Sequence, residues 1–200
     1  MTTGGTAEHD VTSFAPIEGE RATVLVLGSM PGTASLQAAR YYAHPRNAFW
    51  PIVLAWLHGT PADRVTASAT PYGQRVLALR GAGIAVWDVL ERCRRPGSLD
   101  SAIERTSERA NDIASLVARH PELRRIVFNG RTAARLFDRH VDRHVDRHVG
   151  PLDAPGGLTL HAAPSTSPAM ASLTLADKHA AWCEALGPVP ARVPRPDDGA

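Results

Sequence analysis

Four short stretches of the chain are apolar at nearly every position and bounded by turn residues: TVLVLGS from Thr23, GIAVWDV from Gly83, RRIVFNG from Arg124 and GLTLHAA from Gly157. A strand with one face in water alternates apolar and polar side chains, whereas these do not, so they predict strands covered on both faces. Between them the period changes. In NAFWPIVLAWLHG, Phe49, Ile52, Val53, Trp56 and Leu57 recur at helical spacing, and Pro51 falls in the first turn, where a missing N–H costs nothing. Weaker helical patterns predict helices from Gln74 to Leu79, Ser101 to Arg109, Asp112 to Arg119, Thr132 to about His140, and Leu175 to Leu186. Strand and helix in alternation predict a three-layer α/β/α domain around a central four-stranded, mainly parallel sheet.

The two ends lack such patterning. Residues 1–20 mix Gly, Thr and acids, and residues 188–200 are Pro-rich, so both are expected to be disordered tails flanking one domain over 21–187. The whole chain has 200 residues, of which 44% are apolar, an ordinary value for a globular domain. No basic and apolar leader opens it and no uncharged run is long enough to cross a bilayer, so a cytoplasmic protein without membrane association is expected. Cys93 and Cys183 have no CxxC or Cys/His spacing nearby, which excludes a disulfide framework or a zinc motif. Lys178 is the sole lysine, so Schiff-base chemistry has almost no amine to use. A net charge of +2, carried by arginine, permits nucleic-acid binding without demanding it. The repeat DRHVDRHVDRHV, Asp138 to Val149, places three histidines on one helix face, but its exposed Asp/Arg pairs read as a lengthened surface helix or loop.

Parallel α/β sheets bind ligands outside the carboxyl ends of their strands. Here those ends are Ser29, Asp88, Asn129 and Ser165, with Gly28, Gly32 and Gly130 allowing backbone N–H groups close approach to a ligand. Such a crevice suits a planar polar ligand attacked by water. After the first strand the chain reads QAARYYAHPRNAFW, which concentrates aromatic surface. Phe49 and Trp50 read as core, while Tyr41 and Tyr42 divide evenly between core packing and stacking on a base. Asn47 stands where a helix N-cap would. Asn129, just before Gly130, reads as the cap of the helix that follows.

The segments GSMPGTASLQAARYYAHPRNAFW, GIAVWDVLERCRRPGSLDSAI, IVFNGRTAARLF and APSTSPAM resemble, in order and spacing, the hypoxanthine-DNA (deoxyinosine) glycosylase family of the uracil-DNA glycosylase superfamily, over roughly Thr23 to Leu186. The resemblance implies DNA as substrate, base flipping and neither metal nor other cofactor. Sister families carry Asp or Asn where Met30 stands; the resemblance implies Asn47 instead as the group that orients the attacking water. It places Gly28, Ser29, Met30, Pro31, Gly32, Tyr41, Tyr42, Trp87 and Asp88 around the base, and a DNA-binding loop at Pro164, Ser165, Thr166, Ser167, Pro168 and Ala169. The family loop carries Leu before PSTSPA and Asn after it. Ala163 and Met170 stand there instead, so the resemblance does not extend to the DNA-wedging contribution of this loop.

The expected activity is thus hydrolytic removal of a deaminated base, hypoxanthine first and uracil or xanthine after it, by a monomer that leaves the strand intact. Asp88 is read as the group that accepts the N1–H of hypoxanthine and repels the bare N1 of adenine, against a purely structural role at the strand end. Arg92, Arg94 and Arg95 are expected either to meet phosphates at the crevice mouth or to form a solvated loop. The alternatives are a mismatch-specific uracil glycosylase, against which Met30 counts, and a non-catalytic nucleic-acid or nucleotide-binding module that kept the pocket.

Overall fold

The computed structural model describes residues 9–141 and 157–189. The four apolar runs form one parallel sheet: β2 (Val24–Gly28), β3 (Ile84–Asp88), β6 (Arg125–Asn129) and β7 (Thr159–Ala163), in the order β3-β2-β6-β7. The central strand β2 is buried at every position because its two faces serve two cores. Val24 and Val26 face one core with Ile84, Val86 and Val127, against α2 (Phe49–His58) and α6 (Leu175–Leu186). Leu25 and Leu27 face the other with Ala85, Ile126 and Phe128, against α4 (Ile113–Arg119) and α5 (Arg131–His140). Period-two geometry with apolar residues on both faces is what removes the alternation from the sequence.

Helix α2 is the most enclosed helix among the described residues: only Pro51 and His58 escape burial, and Trp56 donates its indole N–H to the Gly187 carbonyl at 2.9 Å. Helix α6 starts at a capping box, in which Thr174 and Asp177 satisfy each other's backbone N–H groups. Helix α3 (Tyr72–Gly81) covers β3. A short helix, α1 (Thr33–Ala38), follows the first loop and closes on Ala39 at φ 49°. Among the described residues no helix is long and apolar enough to cross a membrane.

Two expectations are corrected. The expected tail over 1–20 contains a strand, β1 (Asp10–Thr12), which pairs antiparallel with β4 (Leu90–Arg94); β4 pairs in turn with β5 (Arg109–Ala110) in a second, three-stranded sheet. Val11 supplies the buried side chain, and Ile17 exchanges backbone hydrogen bonds with Val86. The expected helix from Ser101 to Arg109 is two 3-10 turns, Asp100–Ala102 and Arg105–Ser107, followed by β5. Only Ala102 and Ile103 in that span are apolar, so a helix there would have almost nothing to bury. Ser107 further diverts the backbone, accepting from the Arg94 N–H at 2.8 Å and donating to the Glu104 carbonyl.

The N-terminal segment and the segment before β5 are held by matching clasps. Arg119 and His120, at the end of α4, both grip Glu18; Arg139 and His140, at the end of α5, both grip Glu108. Arg139 and His140 belong to the first unit of the tetrapeptide repeat; its later units, like the end of the chain beyond 189, lie outside the described residues.

Candidate active site

The registers Gly28↔Asp88 and Asn129↔Ala163 bring the strand ends to one edge of the sheet. A cavity of about 390 Å³ opens there. Gly28, Ser29, Met30, Pro31, Gly32, Tyr41, Tyr42, Asn47 and Asp88 all border it, as do Ser165, Thr166, Ser167, Pro168 and Ala169. Two expected residues do not. Trp87 points away, giving its indole N–H to the Phe14 carbonyl at 2.9 Å, and the Pro164 carbonyl accepts the indole N–H of Trp182 at 2.9 Å. His44, part of the aromatic segment that follows the first strand, borders the cavity as well, and residues Ser98 to Ser101 and Met170 do so without having been expected there. Their segments carry no periodic signal, and Ser98–Ser101 reach the site only through the β4 excursion.

Asp88 follows Ile84 and Val86 onto the α2 side of the sheet and is 3% exposed. Its carboxylate lies across the β2 backbone: a Cβ on Gly28 would stand 2.3 Å from Asp88 Oδ1. Only glycine leaves that space. Ser13 Oγ donates to Oδ2 at 2.7 Å, and Asn111 Nδ2 donates to the Asp88 carbonyl at 2.8 Å. Burial pushes the carboxyl up to about 7; the Ser13 hydrogen bond opposes this, Asp100 adds to it, and the Arg95 guanidinium opposes it again.

The paired tyrosines divide the two roles between them. Tyr41 is buried, donates its hydroxyl to the Phe14 carbonyl at 3.3 Å, and accepts the indole N–H of Trp50 on its own carbonyl at 3.1 Å. Tyr42 sits at φ 55°, a conformation rare for a bulky side chain, with its ring stacked on Phe49 at 3.9 Å between centroids. Its buried hydroxyl meets no protein partner at hydrogen-bonding geometry. Burial and the neighbouring Asp88 charge raise its pKa, so it stays a protonated donor.

The loop from Ser29 to Gly32 is braced from below. Ser29 Oγ donates to Asp100 Oδ1 at 2.8 Å, and burial raises the pKa of Asp100 against that bond. Met30 packs into the core on the α4 and α5 face. Arg95 is 2% exposed and donates to the carbonyls of Pro31 and Gly97. The expected phosphate role is therefore corrected for Arg95, which is a strut of the loop. Arg92 is exposed, and Arg94 lies 3.5 Å from Glu104.

Asn47 Oδ1 accepts the Phe49 N–H at 3.0 Å, so the side chain secures the first turn of α2 while bordering the cavity. The adjacent Ala48 N–H donates to the Thr166 carbonyl at 3.0 Å. Asn129 is not the cap of α5, whose N-cap is Gly130 at φ 95° with no side-chain bond. Instead its amide grips Thr166 twice, accepting from the backbone N–H at 2.8 Å and donating to Oγ1 at 2.9 Å. Thr166 is 1% exposed and thus part of the scaffold. Ser165 and Ser167 each accept a backbone N–H two residues on, at 3.3 Å, and both border the cavity with a hydroxyl proton still to give. Buried Lys178 donates to the Met170 carbonyl at 2.6 Å, closing the loop.

The family model of the uracil DNA glycosylase superfamily matches residues 16–186. The chain is 33% identical over 118 residues to a protein named hypoxanthine DNA glycosylase from Methanosarcina barkeri, covering 59% of this chain and 70% of that one. It is 34% identical over 120 residues to the protein of the same name from Methanosarcina acetivorans, covering 60% and 71%. A solution structure from M. acetivorans, provisionally assigned as a uracil DNA glycosylase, superposes with a TM-score of 0.64 at 28% identity, covering 86% of this chain and 94% of that one. By its parallel sheet, its matched length and these relatives, the chain belongs to the uracil DNA glycosylase superfamily.

Proposed function

We propose that the chain removes hypoxanthine from DNA by hydrolysing the N-glycosidic bond of a nucleotide flipped into the cavity at the sheet edge. Its superfamily and its two named relatives make it a DNA glycosylase for deaminated bases. The observation that carries the choice of base is Asp88, a buried carboxylate fixed across Gly28 inside the cavity. Ionised, it accepts the N1–H of hypoxanthine and repels the N1 lone pair of adenine. With its carboxyl near 7, it ionises readily when a ligand N–H arrives. The N3–H of uracil and the N–H groups of xanthine meet the same acceptor, which makes them secondary substrates. Tyr42, stacked on Phe49, offers the base an aromatic wall.

The leaving base departs as an anion from an oxocarbenium-like sugar, so the site needs donors to the base and a placed water more than a strong base. Asn47 serves the water. One lone pair of Oδ1 is held by the Phe49 N–H, which fixes the amide plane, and the other lone pair with Nδ2 orients the attacking oxygen. The backbone N–H groups of Ser29, Met30 and Gly32 serve the developing charge, Pro31 having none. Ser165 and Ser167 hold phosphates. The chain leaves an intact abasic strand, because its one lysine is committed to the Met170 carbonyl.

The test is release of free base from duplexes carrying inosine, xanthine, uracil or only normal bases. Hypoxanthine should leave fastest, with no strand scission until alkali is added. Release of adenine at a similar rate, or a product trapped covalently by borohydride, contradicts the reading.

A further inference from the structure

An apolar side chain that enters the stack and keeps the neighbouring bases apart offsets the cost of extruding a base from a duplex. The Pro164–Met170 loop offers one large apolar side chain for that task, Met170, whose thioether already accepts the Ser172 hydroxyl proton at 3.3 Å. Ala163 is buried at the end of β7, and the Met170 backbone is drawn down by Lys178. On the opposite wall stands Leu99, which borders the cavity yet is 58% exposed. Leu173 is also exposed but does not border the cavity.

The loop that carries Leu99 is tied to the loop of the cavity floor on both sides. Before it, Ser98 Oγ accepts the Thr33 N–H at 2.9 Å and bonds the Thr33 hydroxyl at 2.6 Å. After it, Asp100 accepts from Ser29. Beneath it, the buried Arg95 ties the Gly97 carbonyl to that of Pro31. A large apolar side chain exposed on a loop held by three such attachments, beside a cavity that takes an extruded base, is placed for insertion.

We propose that Leu99 is the wedge that enters the base stack as the target nucleotide passes into the cavity. The proposal rests on the glycosylase reading and adds that the stack is opened from the β4 side. It is tested with Leu99→Ala and Leu99→Phe, under single-turnover conditions, on the same inosine-containing strand offered alone and as a duplex. Leu99→Ala should slow release from the duplex by about tenfold or more while leaving the single strand within about twofold, since only the duplex must be unstacked. Leu99→Phe should restore the duplex rate. A 2-aminopurine beside the lesion should brighten on binding the wild type and stay dim with Leu99→Ala. Equal slowing on both substrates, or no slowing on either, overturns the wedge while the glycosylase reading stands. A wild-type protein that releases no base from either substrate overturns both.

Discussion

Ser13 donates its hydroxyl proton to Asp88 across 2.7 Å, joining the N-terminal segment to the floor of the cavity. The bond opposes burial, which pushes the Asp88 carboxyl up to about 7. Two kinds of pH dependence follow.

For activity, if ionised Asp88 receives the base, hypoxanthine release should rise with pH through about 7 and level off above it. Ser13→Ala removes the bond that favours the ionised form, so the rise should move to higher pH, and Ser13→Thr should restore it. For stability, the folded carboxyl binds its proton more tightly than the unfolded one, whose pKa is about 3.9. The native state therefore holds more protons between about 4 and 7, and stability should fall as pH rises through that window and then flatten. Denaturant titrations at several pH values should show this fall for the wild type and a flatter profile for Asp88→Asn. The same variant should lose discrimination between hypoxanthine and adenine, because an amide can donate to N1. Parallel stability profiles and an unchanged order of base preference would show that Asp88 does neither job.

Asn129 borders the cavity, but its amide is spent on Thr166. Asn129→Ala removes both bonds to Thr166 and leaves buried polar groups without partners, at a cost of about 1–3 kcal/mol. Because Thr166 also accepts from Ala48 beside Asn47, the rate of base release should fall together with DNA affinity. Calorimetry and single-turnover rates check both, and a loss of stability with rate and affinity intact would confine Asn129 to the scaffold.

Arg95 and Arg92 should part company. Arg95→Ala empties a buried position that braces Pro31, so it should lower the melting temperature and leave the slope of log affinity against log salt unchanged. Arg92→Ala, at an exposed position, should leave the melting temperature unchanged and flatten that slope by about one contact. A flatter slope for Arg95→Ala would place its guanidinium on DNA after all.

The legible part of this fold is the part made by continuous apolar runs. The stretches around Val24, Ile84 and Ile126 announce strands because both faces are buried, whereas the run around Leu160, expected to be covered on both faces, is an edge strand with Thr159, Leu160 and Ala162 exposed. Strand β1 has three residues and one buried side chain, so no periodicity could reveal it, and with it went Ser13. Crowding at Gly28 was legible only as a glycine at a strand end, because its cause lies 60 residues away in Asp88. Asn129 looked like a cap since its partner, Thr166, is 37 residues on. Arg95 looked like its neighbours in a charged run, and alternation along β4 alone does not say that its guanidinium turns beneath a loop.

The account turns on Asn47. Its bond to the Phe49 N–H means that Asn47→Ala must cost stability, about 1 kcal/mol as for other helix-start acceptors, whatever its chemical role. Asn47→Ser returns an acceptor to the helix start without the amide, and so separates the two effects. The decisive measurement is the single-turnover rate of hypoxanthine release by both variants, read beside their melting temperatures and their affinity for an uncleaved duplex. The account predicts that the rate falls by orders of magnitude in both, while Asn47→Ser recovers the stability and both still bind DNA. Base release at the wild-type rate by Asn47→Ala, or recovery of the rate along with the stability in Asn47→Ser, would contradict it.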